Sequence, residues 1–246
     1  MWADGLSVQA GLAASTAALR VRIGARTDGQ NVVLAVESGQ RESHASWGAV
    51  RRDLRARGLK PWRWTIADGH LGIWAALAEP QPTAAAPRCW NHRITNVLDV
   101  IPKKHQAQAR TRRCAMPDAE SQAACEPLRP PCETRSRQLA PKAGERLAHD
   151  WDRWVTFDQF PREHWRHWRT TNGVESPFAT ARRRTGAATR FKKVDSATAI
   201  IWKLLQVAES TFRRLNAPEL LPAVYARARD VDGIKQSVSN HQEVAA

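Results

Sequence analysis

Three acidic residues stand out by position: Asp4, Asp68 and Glu175. Asp4 lies between small and apolar neighbours in a segment that reads as a strand. Asp68 ends another such segment and is followed at once by Gly69, which lets the chain turn away. Glu175 lies near the start of a helical pattern inside a strongly basic stretch. An acid at a strand's carboxyl end points out of the sheet edge, where parallel sheets place ligands. Three carboxylates brought together repel unless cations neutralise them, and hard oxygen donors suit Mg²⁺ or Mn²⁺. Two such ions about 3.5–4 Å apart can activate a water or a 3′-hydroxyl and stabilise the leaving oxygen of a phosphodiester. Spacing alone leaves other readings open. Asp68-Gly69 is also a turn signal, Asn172-x-x-Glu175 fits a capping box, and Ser176-Pro177 fits an N-cap followed by proline at the first helical position.

The elements that must position these acids read as a mixed α/β sheet. Residues 17–23 alternate apolar and polar positions, the mark of a half-buried strand. Asp28-Gly29 is a hairpin signal, 31–36 is the next strand, and 2–9 is the partner strand before them. Ser43 caps a helix expected through 57, with Trp47, Val50 and Leu54 on one face and Gly58 as its stop. Residues 62–67 form a short strand, 71–77 a helix, and 79–87 a proline-rich linker. A helix after Cys89 runs to 113, kinked or split at Pro102. The stretch 114–145 holds five prolines and three of the four cysteines, with almost no apolar periodicity, and is expected to be irregular. A helical pattern resumes over 142–154. The last clear helix, 196–215, is expected to bury Ile200, Ile201, Leu204, Leu205, Val207 and Ala208, and Asn216-Ala-Pro218 ends it. The tail after Gly233 is polar and expected to fray.

Charge narrows the partner. The 246 residues carry 38 Lys and Arg against 24 Asp and Glu, a formal +14. Residues 160–193 hold nine basic side chains against Glu163 and Glu175, half of that excess, and 101–113 adds five more with no acid. Arg and Lys at that density repel unless a polyanion or solvent screens them, so nucleic acid is the partner this clustering favours. Trp165, Trp168, Phe178 and Phe191 in the same region are expected to pack a helix face rather than stack on bases. A hydrophobic fraction of 42% excludes wholesale disorder. No apolar run approaches the ~18 residues that span a bilayer, and residues 1–4 lack the parts of a signal peptide. Four cysteines are too few for a disulfide scaffold. A soluble, cytoplasmic, basic protein is expected.

At this point several motifs, in order, resemble one family. They are Trp2-Ala-Asp-Gly5, Arg41-Glu-Ser43 with Trp47, Asp68-Gly-His-Leu-Gly72, Arg88-Cys-Trp-Asn-His92 with Asn96-Val-Leu-Asp99, and Glu163-His-Trp-x-His-Trp-Arg-Thr-Thr-Asn-x-x-Glu-Ser-x-Phe-Ala-Thr180. The closing run Arg190-Phe-Lys-Lys-Val194, Trp202-Lys203, Arg213-Arg-Leu215, Ala217-Pro-Glu-Leu220 and Val231-Asp-Gly233 fits the same set. Together they resemble the bacterial Mutator-type transposases, a DDE family of insertion sequences.

The resemblance implies a ribonuclease-H-like α/β fold, a mixed sheet flanked by helices, with a segment inserted before the last catalytic acid. Residues 1–113 would be the first part of the core and 114–168 the insertion, irregular over 114–140 and helical after. Residues 169–232 would be the second part of the core and 233–246 a frayed tail. Asp4, Asp68 and Glu175 would be the catalytic and metal-binding acids, holding two Mg²⁺ or Mn²⁺ ions. The reaction implied is DNA strand cleavage at transposon ends, then attack of the freed 3′-hydroxyl on target DNA. Double-stranded DNA is the implied partner, on which the protein would be a homo-oligomer associated with the nucleoid. The DNA-binding candidates are Cys89, His92, Arg169, Asn172, Arg182, Arg183, Arg190, Lys192 and Lys193. Arg182 lies seven residues after Glu175, so one continuous helix would put both on one face, with Arg182 able to hold a phosphate.

Cys89-x-x-His92 matches a signature of the family near the DNA path, with half a zinc site as its alternative. His164 and His167 read as structural, and His70 stands beside Asp68. Two features depart from the family pattern: Asp4 is almost the first residue, where the family carries a DNA-binding region before its first aspartate, and 114–140 does not read as the helical insertion. A catalytically inactive remnant that binds DNA non-specifically through 101–113 and 160–193 is therefore the second reading. A zinc-dependent module built on the cysteines is the third.

Overall fold

The computed structural model describes residues 1–10, 16–39, 44–60, 62, 64–67, 87–113, 116, 118–149, 151–186, 191–226, 228 and 230–236. The expected helix over 71–77, most of the linker over 79–87, and Asp68, His70, Cys114 and Arg190 lie outside them. The first three strands are β1 (Trp2–Gln9), β2 (Thr16–Ala25) and β3 (Asn31–Gly39). They form the antiparallel meander that alternation and the Asp28-Gly29 turn predict, with Gly29 at φ 79°. The short β4 (Ile66–Ala67) pairs in parallel with β1, Trp2 beside Ile66 and Ala3 beside Ala67. The sheet order is β3-β2-β1-β4, and a parallel bridge from Ala67 to Arg88 extends its far edge.

Successive side chains alternate faces along a strand, so the register sorts the sheet into two sides. Trp2, Leu6 and Val8 of β1 and Leu19, Val21 and Ile23 of β2 share one side and join the main core. On that side lie α6 (Asn172–Gly186), against β1 and β2, and α7 (Val194–Ala208), against β3. The other side carries Ala35, which packs with Val50 and Leu54 of α1 (His44–Ala56). The sheet is thus covered by helices on both faces. Arg20 and Arg22 are buried on the α1 side, with Glu37 opposite Arg20 on β3, and burial pulls the Arg22 guanidinium down to about 10.

Among the described residues between β4 and α6 the chain is mostly helical. α2 (Trp90–Leu98) and α3 (Lys103–Arg113) are split where Pro102 was expected to break them. The expected irregularity of 114–140 is corrected over 122–139, while 114, 115 and 117 lie outside the described residues. A short helix covers Gln122–Cys125, a 3₁₀ turn covers Glu126–Leu128, and α4 (Arg129–Leu139) packs on α5 (Pro141–Ala148). The reason is positional. Pro127, Pro130, Pro131 and Pro141 all sit in first turns, where a missing N–H costs no helical bond. Cys125 is buried in the core, which raises its thiol to about 11.

α7 differs from expectation too. It ends at Ala208, because the Ser210 and Thr211 hydroxyls donate back to the Val207 and Ala208 carbonyls while the chain tightens into a 3₁₀ turn. Ile201 and Leu205 are buried as expected, but Ile200 is 46% and Val207 65% exposed. Around Gly233 the chain forms a hairpin, β5 (Asp230–Val231) and β6 (Ile234–Lys235), and the rest of the tail expected to fray, 237–246, lies outside the described residues.

Candidate active site

Asp4 stands mid-strand in β1, opposite Val21 and on the side that faces α6. It is only 6% exposed, and its Oδ1 accepts the Gly5 N–H at 2.8 Å. Two residues away, the Trp2 ring lies flat enough against α6 that a Cβ on Gly173 would stand 3.4 Å from it. The Trp2 indole N–H donates to the His167 carbonyl at 2.9 Å, just before α6 begins. Gly173 is two residues from Glu175. One ring therefore ties the strand of Asp4 to the first turn of the helix that carries Glu175. The helix starts at Asn172 itself, one residue before the start that Asn172 as an N-cap would set, and Pro177 lies inside it rather than at its first position. Arg182 is on the same continuous helix, two turns after Glu175, with its guanidinium 5.7 Å from the Phe178 ring centroid.

A second tie runs through the start of α2. The Cys89 N–H donates to the carbonyl of Ala67, the residue before Asp68, at 3.2 Å. Its Sγ accepts the Thr171 N–H at 3.3 Å and stands 3.3 Å from Thr171 Oγ1, which in turn lies 3.3 Å from His92 Nδ1. The Trp90 N–H donates to the Arg169 carbonyl at 2.9 Å, and Asn91 Nδ2 donates to Asn172 Oδ1 at 2.8 Å. The turn 169–172, immediately before Glu175, is thus held by four consecutive residues, 89–92. Thr171 is the residue that motif reading passed over. Its hydroxyl is buried within reach of both Cys89 and His92, a contact that no spacing in the sequence announces.

Two of the DNA-binding candidates have their polar groups engaged within the protein. Cys89 is 0% exposed and its thiol is occupied by Thr171, so it does not face a ligand. The Arg169 guanidinium lies 4.3 Å from the Phe157 ring centroid and 4.9 Å from that of Trp165, and Nη2 donates to the Ala119 carbonyl at 3.0 Å. Burial lowers it to about 10, so it stays charged at neutral pH while anchoring the insertion. Arg182, Arg183, Lys192 and Lys193 are exposed, as a nucleic-acid surface requires, and so is Asn172 at the start of α6. His164 is fully buried with Nε2 3.0 Å from the Ala217 carbonyl, and His167 Nε2 accepts the Asn216 N–H at 3.2 Å. Burial lowers both imidazoles below their ordinary value, in keeping with structural roles. Among the described residues no three His, Cys, Asp or Glu side chains form a metal-ligating group, a set that excludes Asp68 and the Glu175 carboxylate.

No helix among the described residues is long and apolar enough to cross a membrane. Residues 3–214 match the family described as Transposase, Mutator family. The chain is 37% identical over 234 residues to the transposase for insertion sequence element IST2 of Acidithiobacillus ferrooxidans, covering 93% of this chain and 78% of that protein. It is 34% identical over 228 residues to the transposase for insertion sequence element IS6120 of Mycolicibacterium smegmatis, covering 93% and 71%. With the transposase for insertion sequence element ISRM5 of Rhizobium meliloti it shares 30% identity over 197 residues, covering 78% and 48%. The match spans both the Asp4 strand and the Glu175 helix, and the chain belongs to the Mutator family of transposases.

Proposed function

We propose that the chain cuts and joins DNA in the transposition of an insertion sequence, with Asp4, Asp68 and Glu175 as the catalytic carboxylates. The observation that carries the reading is the convergence of three segments. Trp2 binds the start of the Glu175 helix to the Asp4 strand, and Cys89 links Ala67, next to Asp68, to Thr171. Consecutive Cα atoms are about 3.8 Å apart, so the peptide bond keeps Asp68 within one residue of the partner of Ala3. The sheet order, with three antiparallel strands and a fourth parallel to the first, supports a ribonuclease-H-like core.

The donor set is all carboxylate oxygen, which fits Mg²⁺ or Mn²⁺, and Asp4, Asp68 and Glu175 would hold the ions. Such a pair of ions, when bound, supplies charge neutralisation and nucleophile activation at a phosphodiester. The chain's own residues do the rest. Arg182 and Arg183 on α6, with Lys192 and Lys193 after it, hold phosphates beside the helix, and the buried ties through Trp2 and Cys89 fix its first turn.

The test is Mg²⁺-dependent nicking and strand transfer on DNA carrying transposon ends. Asp68→Asn and Glu175→Gln are each expected to abolish product while leaving DNA binding intact. If both variants cut as well as the parent, the assignment of the acids is wrong. Salt-sensitive binding by the parent without any product would instead identify an inactive DNA-binding remnant.

A further inference from the structure

A cleft of about 820 Å³ opens beside α6. Its charged lining is Arg166, Arg213 and Arg214, and no acid is among the described residues that line it. At about 100° per residue, Glu175 and Arg182 occupy one flank of α6 while Gly173, Pro177 and Thr180, which line the cleft, occupy the other. Phe178 and Ala181 are buried between the two flanks, and Arg183 stands on the exposed crest.

The cleft is built on fixed backbone. Asn31 Nδ2 donates to the Arg213 carbonyl at 2.7 Å, and the Leu215 N–H donates to the Gly29 carbonyl at 2.8 Å. The Asn216 N–H donates to His167 Nε2, and the Val33 N–H donates to Glu209 Oε2 at 2.7 Å. The segment 209–216 is therefore tethered to the β2–β3 turn on one side and to the 165–168 turn on the other. His167 Nε2 accepts the Asn216 N–H, and the positive charge of the cleft is carried by its three exposed arginines. The volume is room for roughly 25 liquid waters, far more than one phosphate needs.

We propose that this cleft holds the phosphodiester backbone of the DNA strand that leaves the catalytic flank of α6, crossing the helix over Arg183 to reach Arg166, Arg213 and Arg214. The proposal rests on the functional reading above and names where the DNA continues.

The experiment measures DNA affinity against salt for the parent and for the triple variant Arg166→Ala, Arg213→Ala, Arg214→Ala, on duplex DNA and on a single strand. The slope of log affinity against log salt is expected to fall by about 2.7 on duplex if a duplex strand fills the cleft, since each phosphate contributes about 0.9. If an unpaired strand fills it, the change is about 2.1, at about 0.7 each, and is confined to single-stranded DNA. The triple Arg→Lys variant is expected to keep the parent's slope, and it serves as the comparison if the alanine variant does not fold. A photoreactive probe on Thr211→Cys is expected to crosslink to DNA in the parent background. An unchanged slope in the alanine variant, or absence of the crosslink, overturns the proposal. Asp4→Asn is read alongside: it is expected to lose product while keeping both slope and crosslink, so failure of the cleft and failure of the catalytic reading are distinguished.

Discussion

Replacing Cys89 by alanine tests the tie between the two halves of the site. Sγ and Thr171 are both fully buried, so water cannot take the place of the lost acceptor. A buried N–H left without its partner costs about 1–3 kcal/mol. Loss of one buried group the size of a methylene adds about 1 kcal/mol of packing. Cys89→Ala is therefore expected to cost about 2–4 kcal/mol, a large share of the 5–15 kcal/mol typical of a folded domain. For a chain of this size that lowers the midpoint of thermal unfolding by about 4–16 °C. Cys89→Ser keeps an acceptor on a shorter bond and is expected to lose about half as much. Because Thr171 leads directly into α6, Cys89→Ala is also expected to reduce DNA cleavage by more than its folded fraction explains, with the salt dependence of DNA binding unchanged. Two results would refute the reasoning. A melting point within about 1 °C of the parent would mean that Sγ is not an acceptor for Thr171. A changed salt slope would return Cys89 to the DNA surface.

Other outcomes follow from the same contacts. Gly173→Ala places a Cβ in ordinary contact with Trp2 and is expected to be tolerated, whereas Gly173→Leu must push α6 from β1, costing about 1–3 kcal/mol and most of the activity, as paired melting and nicking assays read. Arg169→Ala empties the space between Phe157 and Trp165 and frees the Ala119 carbonyl. It is expected to destabilise by about 2–3 kcal/mol in urea unfolding and to leave the salt slope of DNA binding unaltered. His164 and His167 are held below their unfolded value of about 6.5, so the unfolded chain binds more protons as the solution is acidified. Their contribution is complete above pH 6.5 and is lost as pH falls through the lower folded values. Urea midpoints are therefore expected to fall on acidification below 6.5, and less steeply in His167→Gln.

The strands around Asp4 were legible because alternation and the Asp28-Gly29 turn are local signals, and Pro102 split its helix for the same reason. The prolines of 127–141 misled. In sequence a proline that breaks a helix looks the same as one that opens it, and only the first-turn positions of Pro127, Pro130, Pro131 and Pro141 decide between the two. Ile200 fits the apolar pattern of α7, but the core reaches only the Ala197, Ile201 and Leu205 stripe. The motifs supplied the candidate residues, but the contacts that link their segments were not readable. Cys89 meets Thr171 across 82 residues, a distance that leaves no spacing signature. Arg169 looked like one more cation of a basic run until Phe157 and Trp165 enclosed it. The cleft escaped because its arginines come from separate parts of the chain that only the fold assembles.

The central claim is that Asp4, Asp68 and Glu175 form one carboxylate site. Titration of Mn²⁺ into the protein, followed by the free-ion electron paramagnetic resonance signal, tests it most directly against Asp4→Asn, Asp68→Asn and Glu175→Gln. Each single substitution is expected to weaken binding of the same ions and to abolish DNA cleavage together with it. A substitution at any one of the three that leaves both Mn²⁺ binding and cleavage at the parent's level would contradict the account.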